Sequence, residues 1–154
     1  MQQSTLEILK DEEGSVAIGW ASDDVLYARL SGGLSAEIGS AFALKLQSLC
    51  EQVPTLAYFS DASELSHYDL LARSSFVRVV LANRRKFASL VILTWPEGIS
   101  PVTRNFVSVL GDPIEVLTDP AEFDAKLLRA APHGKHRLDP RTWVQLPRTL
   151  TVRR

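Results

Sequence analysis

Apolar positions recur along this chain at two different periods, and the switches between them predict its elements. Residues 15–20 and 25–31 are strand-like runs separated by Asp23-Asp24, which is turn chemistry. In the second run Val25, Tyr27 and Arg29 alternate with Leu26, Ala28 and Leu30, giving one clearly apolar face. An antiparallel hairpin follows from this, ended by Gly32-Gly33. From about 36 to 52 the period changes: Ile38, Phe42, Leu46 and Leu49 share one stripe of a helix, Ser35 stands at its cap and Pro54 bars its continuation. Residues 55–60 then read as a strand that stops at Asp61. Ser66-His67-Tyr68-Asp69 has the form of a capping box and opens a second helix, with Leu70, Val77 and Leu81 on one side, Phe76 and Val80 adjoining, and Arg84-Arg85-Lys86 at its end.

The nearly continuous apolar run over 88–95 has the signature of a strand covered on both faces. Ser100-Pro101 starts a third helix, whose buried side is Val102, Phe106, Val109 and Leu110 and whose terminator is Gly111. A short strand over 114–117 leads to Asp119-Pro120-Ala121-Glu122, the opening of a last helix with Phe123, Leu127 and Leu128 turned inward. The order is β-β-α-β-α-β-α-β-α. Alternation at these lengths requires crossovers, so the prediction is an α/β fold: a mixed, largely parallel sheet with an N-terminal hairpin and about four helices.

Charge adds one boundary. Residues 1–132 hold 11 Lys/Arg against 17 Asp/Glu, net −6, whereas 133–154 hold 6 Lys/Arg and a single Asp, net +5. We therefore expect a domain over 1–132 and a basic C-terminal tail over 133–154. Trp143, Leu146 and Leu150 among the tail's arginines, and the alternation over 149–153, fit docking onto this body or onto a second copy, the second case being a homodimer through the tail. Six cations without a recognised module argue little for nucleic acid. The single cysteine, Cys50, excludes an intrachain disulfide and a cysteine-based zinc cluster. The start of the chain lacks the pattern of a signal peptide, and no apolar run nears the ~20 residues of a membrane helix. A cytoplasmic location is the expectation.

Candidate chemistry is sparse. Asp61 and Asp69, with Glu64, would lie at the carboxyl ends of parallel strands, where ligands of open α/β sheets bind. Each also has a simpler duty, Asp61 closing a loop and Asp69 capping a helix. His67 invites acid–base chemistry, yet no spacing announces a nucleophile or an oxyanion site beside it. His133 and His136 flank Gly134-Lys135, a poor setting for a metal. No phosphate-loop pattern occurs, and no cofactor or metal is expected. Arg73, Arg78 and Arg84-Arg85-Lys86 form either a docking face for an acidic partner or a solvated helix end matched to the helix dipole.

One stretch carries a resemblance. Asp61-Ala62-Ser63, with Asp69 eight positions after Asp61, is similar to the pattern of STAS domains, the fold of anti-sigma-factor antagonists. The wider span from Val16 to Leu128 resembles a SpoIIAA-like bacterial subgroup. In that family the residue after the second aspartate is the phosphorylatable serine, and here it is Leu70. The resemblance implies a non-enzymatic regulatory domain that binds a protein partner without the usual phosphoserine switch. Its surface would be Asp61, Ser63, Glu64, Ser66, His67, Tyr68, Asp69, Leu70 and Arg73. The relatives equally allow a small-molecule role, with a lipid or nucleotide bound at the same edge.

Overall fold

In the computed structural model, residues 7–95, 114–132 and 150–151 are described. Seven strands are β1 (Glu7–Lys10), β2 (Gly14–Ser22), β3 (Val25–Leu34), β4 (Leu56–Tyr68), β5 (Phe87–Leu93), β6 (Ile114–Leu117) and β7 (Leu150–Thr151). The helices are α1 (Ala36–Cys50), α2 (Leu70–Ala82) and α3 (Pro120–Ala130), with a 3₁₀ turn at Arg84–Lys86. They build one sheet in the order β6-β5-β4-β3-β2-β1-β7. The first three strands are an antiparallel meander, and β3 to β6 run parallel. The fold is thus mixed and largely parallel, as the element pattern predicts, with β1 added ahead of the hairpin. The helix expected over 100–111, and the tail apart from Leu150 and Thr151, lie outside the described residues.

The alternation of side chains decides which helix goes where. Leu26, Ala28, Leu56, Tyr58 and Leu90 point to one face and pack with Ile38, Phe42, Leu46 and Val80 of α1 and α2. Tyr27, Phe59, Val91 and Leu93 point to the other face and meet Phe123 and Leu127 of α3. Both crossovers, β3-α1-β4 and β4-α2-β5, advance in the same direction across the sheet. Crossovers of one hand then place both helices on the same face. Strands β3, β4 and β5 are apolar on both sides because both sides are covered.

The helices begin where side-chain caps satisfy their free amides: Ser35 accepts from Ile38 N, Asp69 from Leu71 N and Asp119 from Ala121 N. Helices α1 and α2 lie side by side, Gly39 against Ala72 and Phe42 stacked on Phe76 at 5.9 Å. Their C-terminal ends are tied as well. Asn83 Nδ2 donates to Gln47 Oε1 at 2.7 Å, and Lys86 Nζ donates to the Cys50 carbonyl at 2.8 Å.

Several expectations are corrected. Strand β3 runs through Gly32-Gly33 to Leu34, because Gly32 and Gly33 pair with Leu65 and His67. Strand β4 does not stop at Asp61 but continues to Tyr68, held by that same pairing. Ser66 is therefore a strand residue, and Asp69 is the cap of α2. Leu70 and Leu81, grouped with Val77 on one apolar side of the helix, are 68% and 42% exposed, since Ala72 and Val80 occupy the face against the sheet. Leu128 is also exposed, because Phe123 and Leu127 already fill the contact of α3.

Candidate functional site

Beyond Asp61, β4 loses its neighbour β5, whose pairing ends at Asp61 beside Leu93. Residues Glu64–Tyr68 go on as a ribbon along Ser31–Leu34, whose Ser31 and Gly32 still pair with β2 on the other side, and the ribbon is entered through a register shift between Arg29 and Ser31. A shift of this kind is a bulge, which bends the ribbon and re-aims its side chains. At the ribbon's tip converge the β1–β2 turn and the amino ends of α1 and α2.

The turn anchors the tip. Asp11 Oδ1 accepts from the amides of Glu13 and Gly14 at 2.8 and 3.1 Å, and its Oδ2 accepts from Ser35 Oγ at 2.7 Å. One carboxylate thereby joins the turn to the cap of α1. Gly33 N donates to the Glu13 carbonyl at 2.9 Å, and Asp69 N to the Leu34 carbonyl at 2.9 Å. The ring of His67 lies against Gly33, in the space a side chain there would fill. Asp11, Glu13 and Ser35 were not among the expected site residues, although Asp11-Glu12-Glu13-Gly14 is readable turn chemistry.

The two aspartates are not brought together, which corrects the carboxylate-pair reading. The strand between them holds them roughly 25 Å apart along its axis at about 3.3 Å per residue. Asp61 is fully buried on the α3 side of β4, in register with Arg29. Its Oδ1 accepts from both the amide and the hydroxyl of Ser63, at 3.0 and 2.6 Å. Glu64 accepts from Arg29 Nη2 at 2.6 Å and from Ser31 Oγ at 3.2 Å. Asp61, Ser63 and Glu64 thus form one cross-strand polar cluster on β3 and β4. Asp69 belongs to a different place, at the start of α2.

Ser66, His67, Tyr68, Asp69 and Leu70 do gather at the tip, with the half-buried Arg73 one turn into the helix. Sequence spacing gave His67 no nucleophile, but Ser66 Oγ lies 3.0 Å from its Nδ1. Glu13 Oε1 approaches His67 Nε2 only to 3.7 Å, beyond hydrogen-bond reach, and both side chains are at least half exposed. A catalytic relay needs its acid to orient the imidazole through a hydrogen bond in a sheltered site. The bond that ties this end of the sheet to the β1–β2 turn is instead the one from Gly33 N to the Glu13 carbonyl. Among the described residues, no three His, Cys, Asp or Glu side chains gather to hold a metal ion. No helix there is long and apolar enough to cross a membrane.

What the tip presents outward is apolar. Leu70 and Leu71, the first two residues of α2, are 68% and 67% exposed. They crown the ribbon's polar edge at the positive end of a helix.

No family model and no curated protein matches the chain. Among solved structures, it is similar to an uncharacterized protein of the DUF3478 family with a SpoIIAA-like fold from Shewanella loihica PV-4. The TM-score is 0.57 at 19% identity, over 82% of this chain and 98% of that one. It is also similar to the anti-sigma factor antagonist SpoIIAA in its unphosphorylated form, at TM-score 0.48 and 19% identity over 81% and 98% of the two chains. An anti-sigma factor antagonist from Mycobacterium paratuberculosis aligns at TM-score 0.45 and 14% identity over 81% and 94%. The chain has a SpoIIAA-like fold.

Proposed function

We propose that this chain is a non-enzymatic regulatory domain that binds a protein partner through the tip formed by the β4 ribbon and the start of α2. The observation that carries the reading is the exposed pair Leu70 and Leu71 at a helix amino end. Two adjacent leucines left in water are costly at about 25 cal/mol per Å², and their place beside polar Ser66, His67 and Asp69 fits an apolar anchor with a polar rim. By the resemblance to STAS domains, Leu70 stands where a phosphoserine would add charge. A leucine there makes the surface constitutively apolar, so binding is not gated by phosphorylation at that position.

Two measurements test this. Full-length protein incubated with ATP and a serine kinase of the anti-sigma type should keep its mass. Stoichiometric phosphate within residues 63–75 would overturn the ungated reading. Bait carrying Leu70→Asp should lose a partner that wild-type bait retains from the native host. Equal retention by both would remove the tip from the interface.

A further inference from the structure

The apolar tip opens onto a longer surface. Around α2, the positions facing away from the sheet are Leu70, Ser74, Arg78 and Leu81, spaced by four, four and three, with Leu71 beside the first. All are exposed, and the stripe from Leu70 to Leu81 is about 16 Å long at 1.5 Å per residue. Leu70, Leu71 and Leu81 are three of the five large apolar side chains that stand exposed among the described residues. The cations of the same segment are as unusual. Residues 70–86 hold five Lys/Arg and no Asp or Glu, in a chain whose net charge is −1. Of the described cations elsewhere, Arg29, Lys45 and Lys126 each reach a carboxylate, while Lys10 and Arg129 stand singly at β1 and at the end of α3. Among the described residues, Arg73, Arg78, Arg84 and Arg85 reach none. Solvation of a helix end explains Arg84 and Arg85. It does not explain Arg78 in mid-helix between exposed leucines.

We infer that the outer face of α2 and the following 3₁₀ turn is a docking face for an acidic amphipathic helix of a partner protein. Leu70, Leu71 and Leu81 would take its apolar seam, and Arg78, Arg84 and Arg85 its carboxylates. This deepens the proposed function by giving the partner a chemistry, and it rests on that reading for the Leu70 end alone. Charge complementarity selects the occupant. Guanidinium groups suit carboxylates through bidentate contacts, and apolar anchors ringed by arginine are typical of interface centres. A flat anionic surface such as a bilayer fits less well. The parallel neighbour α1 turns Glu37 and Glu51 outward on the same layer, where a plane would meet them and a single helix along α2 would not.

The test uses the full chain and two fluorescein-labelled amphipathic helical peptides with the same leucine seam, one flanked by glutamates and the other by lysines. Anisotropy should show saturable binding of the glutamate peptide, at least about tenfold tighter than the lysine peptide and weakened by salt. Arg78→Glu/Arg85→Glu should weaken it by about tenfold or more, with an unchanged melting curve because both residues are exposed. The milder Arg78→Gln/Arg85→Gln should fall between. Absence of saturable binding, or equal binding of both peptides, overturns the inference. So does co-sedimentation with phosphatidylglycerol vesicles in place of peptide binding, or a concentration-dependent dimer by light scattering that the arginine variants abolish. The two proposals fail separately. If Leu70→Asp releases the native partner while the arginine variants keep it, the tip stands and the acidic helix falls. If the arginine variants lose the glutamate peptide while Leu70→Asp still retains the native partner, the docking face stands on Leu71, Leu81 and the arginines, and the tip falls.

Discussion

Gly39 and Cys50 show how single positions on α1 set the packing beneath the proposed surface. A side chain at Gly39 would run into Ala72 Cβ and backbone of α2, neither of which can swing away. We expect Gly39→Val to cost about 1–3 kcal/mol as an overpacked helix contact, read as a lower urea midpoint. Gly33→Ala should cost less, since it meets only the exposed His67 ring, which can turn into solvent. Cys50 is buried, and burial pushes its thiol from 9.0 up to about 11. Tyr58, also buried, is held above its ordinary 10.0. Both groups keep their protons longer when folded, so the unfolded chain loses protons first as pH rises. The contribution of Cys50 is complete below pH 9 and is lost as pH climbs towards 11, and that of Tyr58 is complete below pH 10 and declines above it. Denaturant midpoints should therefore fall across that window, and one that stays flat would contradict it. What sequence could not give at this scale was the exposure of Leu70 and Leu81. A stripe drawn through Leu70, Val77 and Leu81 is as regular as one through Ala72, Phe76, Val79 and Val80. Only the close approach at Gly39 decides that small Ala72 faces inward.

Elements were more legible than residues, and the exceptions share a cause. Helix α1, strand β6 and the cap of α3 follow from periodicity, from Ser35 and from Asp119-Pro120. The ribbon end of β4 was read as a loop because Ser63-Glu64, Ser66 and His67 are polar and lie in a run that looks like helix-start chemistry. They are strand residues because β3 supplies a backbone partner through Gly32-Gly33-Leu34. That pairing is non-local, so no window around residue 65 contains it. It also moved the cap from Ser66 to Asp69, and with it the start of α2. Asp69→Ala should then destabilise the protein by about 1 kcal/mol, whereas Ser66→Ala, which removes only an exposed contact to His67, should stay within about 0.5 kcal/mol. Equal losses from the two would restore the longer capping box. For the candidate site, the grouping expected from sequence is divided by the structure. Asp61, Ser63 and Glu64 belong with Arg29 inside the sheet, and only the residues from Ser66 onward share the tip.

At the scale of the whole molecule, the open question is what protects the sheet's edge at β1. Its inner side is firm: Ile8 is buried, and Lys45 Nζ reaches Glu7 Oε1 at 2.6 Å, tying β1 to α1. Its outer side is covered by β7, where Leu150 and Thr151 pair in parallel with Leu9 and Lys10. These two residues come from the basic tail, which carries +5 against −6 on residues 1–132. Attraction between exposed charges fades beyond ~8 Å at physiological ionic strength, so backbone pairing, more than charge, has to hold such a strand. An unpaired edge is a template for other chains. Deleting residues 133–154 should therefore have two effects that differ in kind. The melting temperature should fall by about 2–4 °C for each kcal/mol of lost pairing in a chain of this size. Light scattering should also show self-association that grows with concentration, as the bared β1 edge finds another copy. Charge-reversing Lys135, Arg137 and Arg141 while leaving 150–151 in place should do neither at physiological salt. A truncated protein that melts with full length and stays monodisperse would show that β1 needs no cover. A charge-reversed protein that behaves like the truncation would show that electrostatics, and not the strand, holds the tail.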